Sequence, residues 1–97
     1  MTVNERELYL KALRKWGIQA QLTMLIEECA ELIHAACHFA RSPLFSMEKL
    51  AEEAADVEIM LRQLRQFSPS LKSKIEKAVS TKLLRLAQRL NEEDLSR

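Results

Sequence analysis

Two pairs of acidic residues repeat the same spacing. Glu28 and Glu31 are three positions apart, and so are Glu53 and Asp56. On a helix this spacing puts both side chains of a pair on one face, so two adjacent antiparallel helices can surround one small volume with four carboxylates. Four like charges repel one another unless cations neutralise them, and such hard oxygen ligands suit Mg²⁺ or, as the alternative, Mn²⁺. The pattern predicts a metal site; the other interpretation is an ordinary solvated acidic face.

Asp56 stands among apolar neighbours on almost every side of its helix. These neighbours are Ala54, Ala55, Val57, Ile59, Met60 and Leu61. A helix that is apolar nearly all round is expected to be buried, so we expect Asp56 to be at least partly buried. A buried carboxylate must be paired, protonated or bound to a metal.

The composition favours helices as the elements that position these acids. One glycine and two prolines stand against 16 leucines and 11 alanines, and the β-branched residues number eleven. This composition argues against a β-sandwich, a glycine-rich phosphate loop or a Rossmann unit. We therefore predict an all-α fold.

Four helices are predicted from breakers and caps. The lone glycine, Gly17, ends the first helix, and Pro43 limits the second because proline disfavours helical geometry in the preceding residue. Ser46 and Ser68 are the expected caps of the last two helices, with Pro69 at a first helical position. The predicted ranges are Thr2 or Asn4 to about Lys15, about Ile18 to Ala40, Ser46 to about Phe67, and Ser68 to about Asn91, with a frayed polar tail from about Glu92.

The second helix has an apolar stripe opposite its acids. We expect this stripe to face the core and Glu27, Glu28 and Glu31 to lie on the other side. The two cysteines fall on one helix eight residues apart, so they cannot pair and are expected to be reduced, buried thiols. The stripe consists of Leu22, Leu25, Ile26, Cys29, Ile33, Ala36, Cys37 and Ala40.

The charges are unevenly distributed, although the formal total is only +1. Residues 27–58 hold eight acids against two bases, a net charge of −6, and residues 62–89 hold eight bases against one acid, a net charge of +7. The small total argues against a nucleic-acid binder that works by bulk charge. The two segments either attract each other as helices or form a site where cations meet a polyphosphate.

Length and hydropathy bound the organisation of the chain. We expect one domain over residues 1–97, built as a small bundle of antiparallel helices. No apolar run approaches the ~20 residues of a membrane span, and the charged start is unlike a signal peptide, so a cytoplasmic protein without a membrane partner is expected. The apolar girdle around Asp56 is hard to cover within one chain, which favours a homodimer or a dimer of dimers.

Three motifs occur in order along residues 16–90. They are Trp16-Gly17-x-x-x-Gln21-Leu22, Leu25-Ile26-Glu27-Glu28-x-x-Glu31-Leu32 and Glu52-Glu53-x-x-Asp56-Val57. This order resembles the MazG-like all-α nucleoside triphosphate pyrophosphohydrolases, whose hallmark is ExxE on one helix and ExxD on the next. The resemblance implies a four-helix bundle completed by oligomerisation. It also implies Mg²⁺-dependent cleavage of a (d)NTP between the α and β phosphates, which releases a monophosphate and pyrophosphate.

The resemblance also implies residue roles. Glu28, Glu31, Glu53 and Asp56 would be metal ligands, and Glu27 would orient or deprotonate the attacking water. A basic stripe on the last helix would contact phosphates, and two residues of the first motif would contact the base. The basic stripe is Lys82, Arg85 and Arg89, and the base contacts are Trp16 and Gln21.

Some residues allow other interpretations. Many family members carry an asparagine where this chain has Leu86, which weakens the case for a sugar or base contact from the last helix. Trp16 is also typical of a core anchor at a helix end. His34 and His38 follow Glu31 on the acidic side of the second helix. We expect them to lie at a half-exposed edge or at a subunit contact; the alternative is a role near the phosphates.

Two other functions remain open. Glu31-x-x-His34 matches the Glu-x-x-His unit of ferritin-like di-iron bundles, although that scheme needs a second such unit and helix three offers only Glu53-x-x-Asp56. The non-enzymatic alternative is a helical dimerisation module in which the acidic middle of one chain meets the basic helix of another.

Overall fold

Helices make up almost all of the described chain. The computed structural model describes residues 3–95, apart from the side chains of Phe45 and Leu95. Over this range there are three helices and no strand: α1 (Glu5–Arg41), α2 (Pro43–Leu64) and α3 (Pro69–Leu95). α1 and α2 pack as an antiparallel hairpin. The predicted all-α class is confirmed.

Gly17 divides α1 into two halves. Its φ of 86° and ψ of 164° are not helical, and helix continues on both sides of it. This conformation is essentially restricted to glycine. The first two predicted helices are therefore the two halves of α1, and a single-residue break replaces the loop between them.

Helix starts agree with two of the predicted caps. Asn4 precedes α1, and its side-chain oxygen accepts a 3.1 Å hydrogen bond from the Glu7 backbone N–H. Thr2, the other predicted cap, lies outside the described residues. Ser68 precedes α3, and its Oγ accepts a 3.0 Å hydrogen bond from the Leu71 N–H. Pro69 opens α3, as predicted.

The predicted boundaries of the last two helices were partly wrong. α2 begins three residues before Ser46, because Pro43 fits the first helical position. Ser46 is buried inside the helix, where its Oγ donates a 2.7 Å hydrogen bond to the Ser42 carbonyl. α2 ends at Leu64, and α3 continues to Leu95, so the described part of the polar tail is helical rather than frayed.

The α1–α2 contact surface, called the seam below, is polar in its middle. Its buried apolar residues are only Tyr9, Ala35 and Val57 within the described chain, and its buried polar residues are Gln21, Ser46, Glu53 and Gln63. Leu25, Glu28 and Leu32 on α1 are half-buried between them. Soluble helices normally bury apolar side chains at such positions, so this seam serves more than packing.

The seam overlaps only part of the predicted core stripe of α1, at residues such as the half-buried Leu25. Ile26 and Ile33, in the predicted core stripe, are 69% and 66% exposed. Cys37 is also exposed and Cys29 is half-buried; both are free thiols. The prediction was wrong because α2 packs on the face of α1 that carries Glu28, which leaves the more apolar stripe uncovered in the single chain.

Beyond its first turns, α3 stands apart from the hairpin. Leu71 and Ile75 are half-buried, and every residue with a described side chain after them is exposed. The radius of gyration is 17.2 Å, whereas a compact chain of about 100 residues has about 13 Å. No helix within residues 3–95 is long and apolar enough to cross a membrane.

Candidate metal centre

Three of the four predicted carboxylates meet in the seam. One ligand oxygen each from Glu28, Glu53 and Asp56 lies within 4.8 Å of the others. Glu28 comes from α1, and the other two come from successive turns of α2. The antiparallel hairpin brings one acid of the first predicted pair, Glu28, to both acids of the second pair. We call these three residues the carboxylate cluster.

Glu53 is the buried member of the cluster. Only 3% of the residue is exposed. One carboxylate oxygen receives the Lys49 ammonium at 2.8 Å, and the other, Oε2, is buried without a hydrogen-bond partner among the described residues. Glu28 Oε2 is likewise buried and unpartnered within that part of the chain. Two buried oxygens of this kind carry a large desolvation cost.

The pKa values of Glu28 and Glu53 are shifted in opposite directions. Burial raises the pKa of Glu28, and the nearby carboxylates of Asp56, Glu31 and Glu53 raise it further. The hydrogen bond from Lys49 instead lowers the pKa of Glu53 and outweighs the effect of its burial. The structure thus has one carboxylate that resists ionisation beside another that is held ionised by a lysine.

The predicted burial of Asp56 was wrong. Asp56 is exposed, and the buried acid on α2 is Glu53. Much of the apolar girdle is also exposed, with Ile59 and Leu61 at 47% and 41%. Within residues 3–95 α2 packs mainly against α1, so one face of it is covered and Asp56 lies at the edge of that face.

Glu31 lies beside the cluster, at the edge of a cavity. It is exposed, and its charge contributes to the raised pKa of Glu28. The cavity has a volume of about 410 Å³ and continues along the seam away from Glu28. We call it the histidine cavity; it is lined by Glu31, His34, Ala35, His38, Lys49 and Glu53. His34 and His38 are both exposed.

The donor set of the cluster fits a hard divalent cation. All three groups offer carboxylate oxygens, which Mg²⁺, Mn²⁺ and Ca²⁺ prefer. The two unpartnered oxygens of Glu28 and Glu53 would gain a partner there. Among the described residues the histidines lie outside the cluster; they line the histidine cavity with Glu31 and Glu53 instead.

Glu27 faces a second cavity on the other side of the cluster. It is exposed and lines a space of about 570 Å³ together with Trp16, Gln21, Met60 and Gln63. We call this space the tryptophan cavity. Trp16 is 58% exposed and is not a core anchor, whereas Gln21 is only 5% exposed.

The predicted basic stripe lies away from the cluster in this chain. Lys82, Arg85 and Arg89 are all exposed on α3. Lys82 and Arg85 line a shallow depression formed by α3 alone, together with Lys74 and Lys77. Among the described residues, the cation that contacts the cluster is Lys49, which pairs with Glu53.

Two residues of the site were missed from the sequence. Lys49 precedes Glu53 by four positions, a spacing that forms ion pairs on helices, and this signal could have identified it. Gln63 had no such signal, because its burial depends on where the first half of α1 lies.

Comparisons of the chain with protein-family models, with curated proteins and with solved structures find no match. The functional interpretation therefore depends on the site itself.

Proposed function

We propose that this chain is a Mg²⁺-dependent nucleoside triphosphate pyrophosphohydrolase of the MazG-like kind. It would cleave a (d)NTP between the α and β phosphates and release (d)NMP and pyrophosphate. The observation that carries the proposal is the carboxylate cluster, in which Glu53 Oε2 is buried and unpartnered among residues 3–95. An acidic face that merely met solvent would not bury such an oxygen.

In this proposal the cluster holds the cation. Glu28, Glu53 and Asp56 supply ligands, and Glu31 adds a fourth carboxylate from the edge of the histidine cavity. A bound Mg²⁺ supplies charge neutralisation for the phosphates and lowers the pKa of a water. In this hydrolysis the oxygen of the water forms a bond to the α phosphorus. The bond between the α phosphorus and the bridging oxygen breaks, and that oxygen leaves with pyrophosphate.

Glu27 would orient that water and accept its proton. It directly precedes the cluster residue Glu28 in the sequence, but its own side chain lines the neighbouring tryptophan cavity. Its exposure leaves it free to contact a water without being a ligand. General-base assistance of this kind typically contributes about 10²–10⁴-fold to a rate.

The histidine cavity would hold the polyphosphate tail. Lys49 lies there next to Glu53, and His34 and His38 line the same space. An ammonium at this position can neutralise a phosphate oxygen as well as a carboxylate. The stripe Lys82, Arg85 and Arg89 would reach a site only by contributing to another subunit, which is consistent with a homodimer or a dimer of dimers.

The test is pyrophosphate release from a panel of common NTPs and dNTPs with Mg²⁺. We expect Asp56→Asn and Glu53→Gln to abolish turnover while circular dichroism shows a folded helical protein. Glu48→Gln is the matched control, because Glu48 is an exposed acid on α2 outside the cluster. Near-full turnover of the two cluster variants would refute the proposal.

Glu27→Gln separates water positioning from metal binding. It should lower kcat by orders of magnitude and leave the calorimetric affinity for Mg²⁺ largely intact. Parallel loss of Mg²⁺ affinity would make Glu27 a ligand instead.

A dimerisation module is the second candidate, and the exposed apolar stripe containing Ile26 and Ile33 favours it. Such a module would associate without Mg²⁺ and would tolerate all of these amide substitutions. Activity that requires iron and oxygen, and not Mg²⁺, would favour a di-iron protein.

A further inference from the structure

The tryptophan cavity has apolar walls and two buried amides. It lies between the two halves of α1 and the last turns of α2, and its volume is about 570 Å³. Ala12, Trp16, Met24 and Met60 supply apolar surface, and a Lys15 ammonium lies 5.4 Å from the centre of the Trp16 ring. Small-molecule sites are typically concave, mostly apolar and equipped with a few polar groups.

Gln63 is the unexplained group in this cavity. It is only 4% exposed, and its Nε2 is buried without a hydrogen-bond partner in the described part of the chain. A buried amide that lacks a partner typically costs about 1–3 kcal/mol. Because Gln63 lines the cavity, a ligand there could supply the missing partner.

The cavity lies next to the carboxylate cluster along the α1 and α2 helices. Glu27 lines the cavity and the next residue, Glu28, belongs to the cluster. On α2, Gln63 follows Asp56 by seven residues, which is about 10 Å along a helix axis. A ligand lying along the seam could therefore place a ring in the tryptophan cavity and phosphates at the cluster.

The resemblance already implies base contacts from Trp16 and Gln21, which line this cavity; we propose that Gln63 reads the base there, its side-chain amide hydrogen-bonding to the edge of the ring. The proposal rests on the proposed function and names a specificity-determining residue for it. Trp16 contributes an aromatic surface for stacking. A side-chain amide presents a donor and an acceptor together, so it distinguishes bases by the ring carbonyls, ring nitrogens and amino groups at their edges.

The kinetic test compares Gln63→Leu with wild type on all common (d)NTPs and on inorganic tripolyphosphate, which has no base. Loss of one matched hydrogen bond should lower kcat/KM for the preferred base by about 10- to 100-fold. Turnover of the other nucleotides and of tripolyphosphate should change less than about 3-fold. Gln19→Leu is the matched control, because Gln19 is exposed on α1 and lies outside the cavity lining.

A binding test is independent of turnover. Trp16 is the chain's single tryptophan, so its fluorescence reports directly on this cavity. Nucleoside monophosphates should quench it, and Gln63→Leu should weaken the response for the preferred base. If Gln63→Leu fails to fold, Trp16→Ala replaces it in the kinetic test, since Trp16 is exposed, and should raise KM for nucleotides but not for tripolyphosphate.

The outcomes separate the two proposals. An equal loss for every substrate, tripolyphosphate included, would overturn the role of Gln63 and leave the pyrophosphohydrolase intact. A Gln63-dependent fluorescence response without any Mg²⁺-dependent hydrolysis would support the cavity and refute the proposed function. No response to any nucleotide would overturn the cavity assignment.

Discussion

Glu28 carries an electrostatic cost in the folded protein. Burial and three neighbouring carboxylates raise its pKa above the ordinary value. A group of this kind stabilises the fold when it is protonated, below its unfolded pKa, and that stability is lost as the pH rises through its folded pKa. At neutral and higher pH the folded chain therefore retains the cost of a crowded, partly buried charge.

Glu28→Gln should stabilise the metal-free protein because it removes this charge. We expect Tm to rise on the order of 5 °C at pH 8, with the difference shrinking toward pH 4. Thermal unfolding across this range is the measurement, and Glu27→Gln, one position away on an exposed side chain, is the control. An equal rise at every pH would show that charge is not the cause.

Spacing predicted three of the acids that meet, but neither that Glu31 lies outside their cluster nor which acids are buried. The i, i+3 pairs correctly brought Glu28, Glu53 and Asp56 together, because helix geometry fixes which side chains share a face. The burial of Glu53 instead of Asp56, and of Gln63, depends on the rotation of α2 against α1. Local sequence does not determine that rotation.

The break in α1 is the element-scale feature that composition predicted best. Only a residue without a Cβ adopts the backbone conformation of Gly17 readily. A Cβ at this position would have no described atom within 4 Å, its chain neighbours and own helical turn aside. The requirement for glycine is therefore a matter of backbone conformation and not of space.

Gly17→Ala should destabilise the protein by about 1–3 kcal/mol, measured by urea unfolding. A synthetic chain with D-alanine at position 17 is the control, since a D-residue accepts a positive φ. We expect D-alanine to keep or increase the stability. If both variants lose stability equally, the cost is steric and the conformational argument fails.

The main error at the scale of elements was the prediction of which face of α1 packs against α2. Hydrophobic periodicity identified the stripe with Ile26 and Ile33 because this is the more apolar face of α1. α2 instead covers the face with Glu28 and Gln21, because the seam combines the site with the packing surface. Periodicity detects apolar surface, whether the partner that covers it is in the same chain or in another.

At the scale of the whole molecule, large apolar surfaces remain uncovered. Val79, Leu83, Leu86 and Leu90 recur at helical spacing on α3 and are 45–60% exposed. Contiguous apolar surface of this extent is typical of an interface. We propose a second copy of the chain as the occupant, because the acidic middle and the basic end of the sequence would be complementary between two copies.

Ile33→Asp should shift the protein from dimers or tetramers to monomers in sedimentation velocity. Val3→Asp is the matched control, because both residues are 66% exposed but Val3 precedes α1. Placing a charge in an apolar interface without a partner typically costs several kcal/mol. A wild-type chain that sediments as a monomer at all concentrations would contradict the expectation.

The polar seam also bears on how long the protein survives in a cell. In the single chain, three buried apolar residues among those described give little hydrophobic stabilisation to offset the loss of chain entropy. A chain of marginal stability spends more time open to chaperones and proteases. Any ligand that binds only the closed seam adds stability by mass action, about 2.7 kcal/mol at 100 times its Kd. The abundance of the protein would then follow the supply of this ligand, because the protein would be degraded when the ligand is scarce.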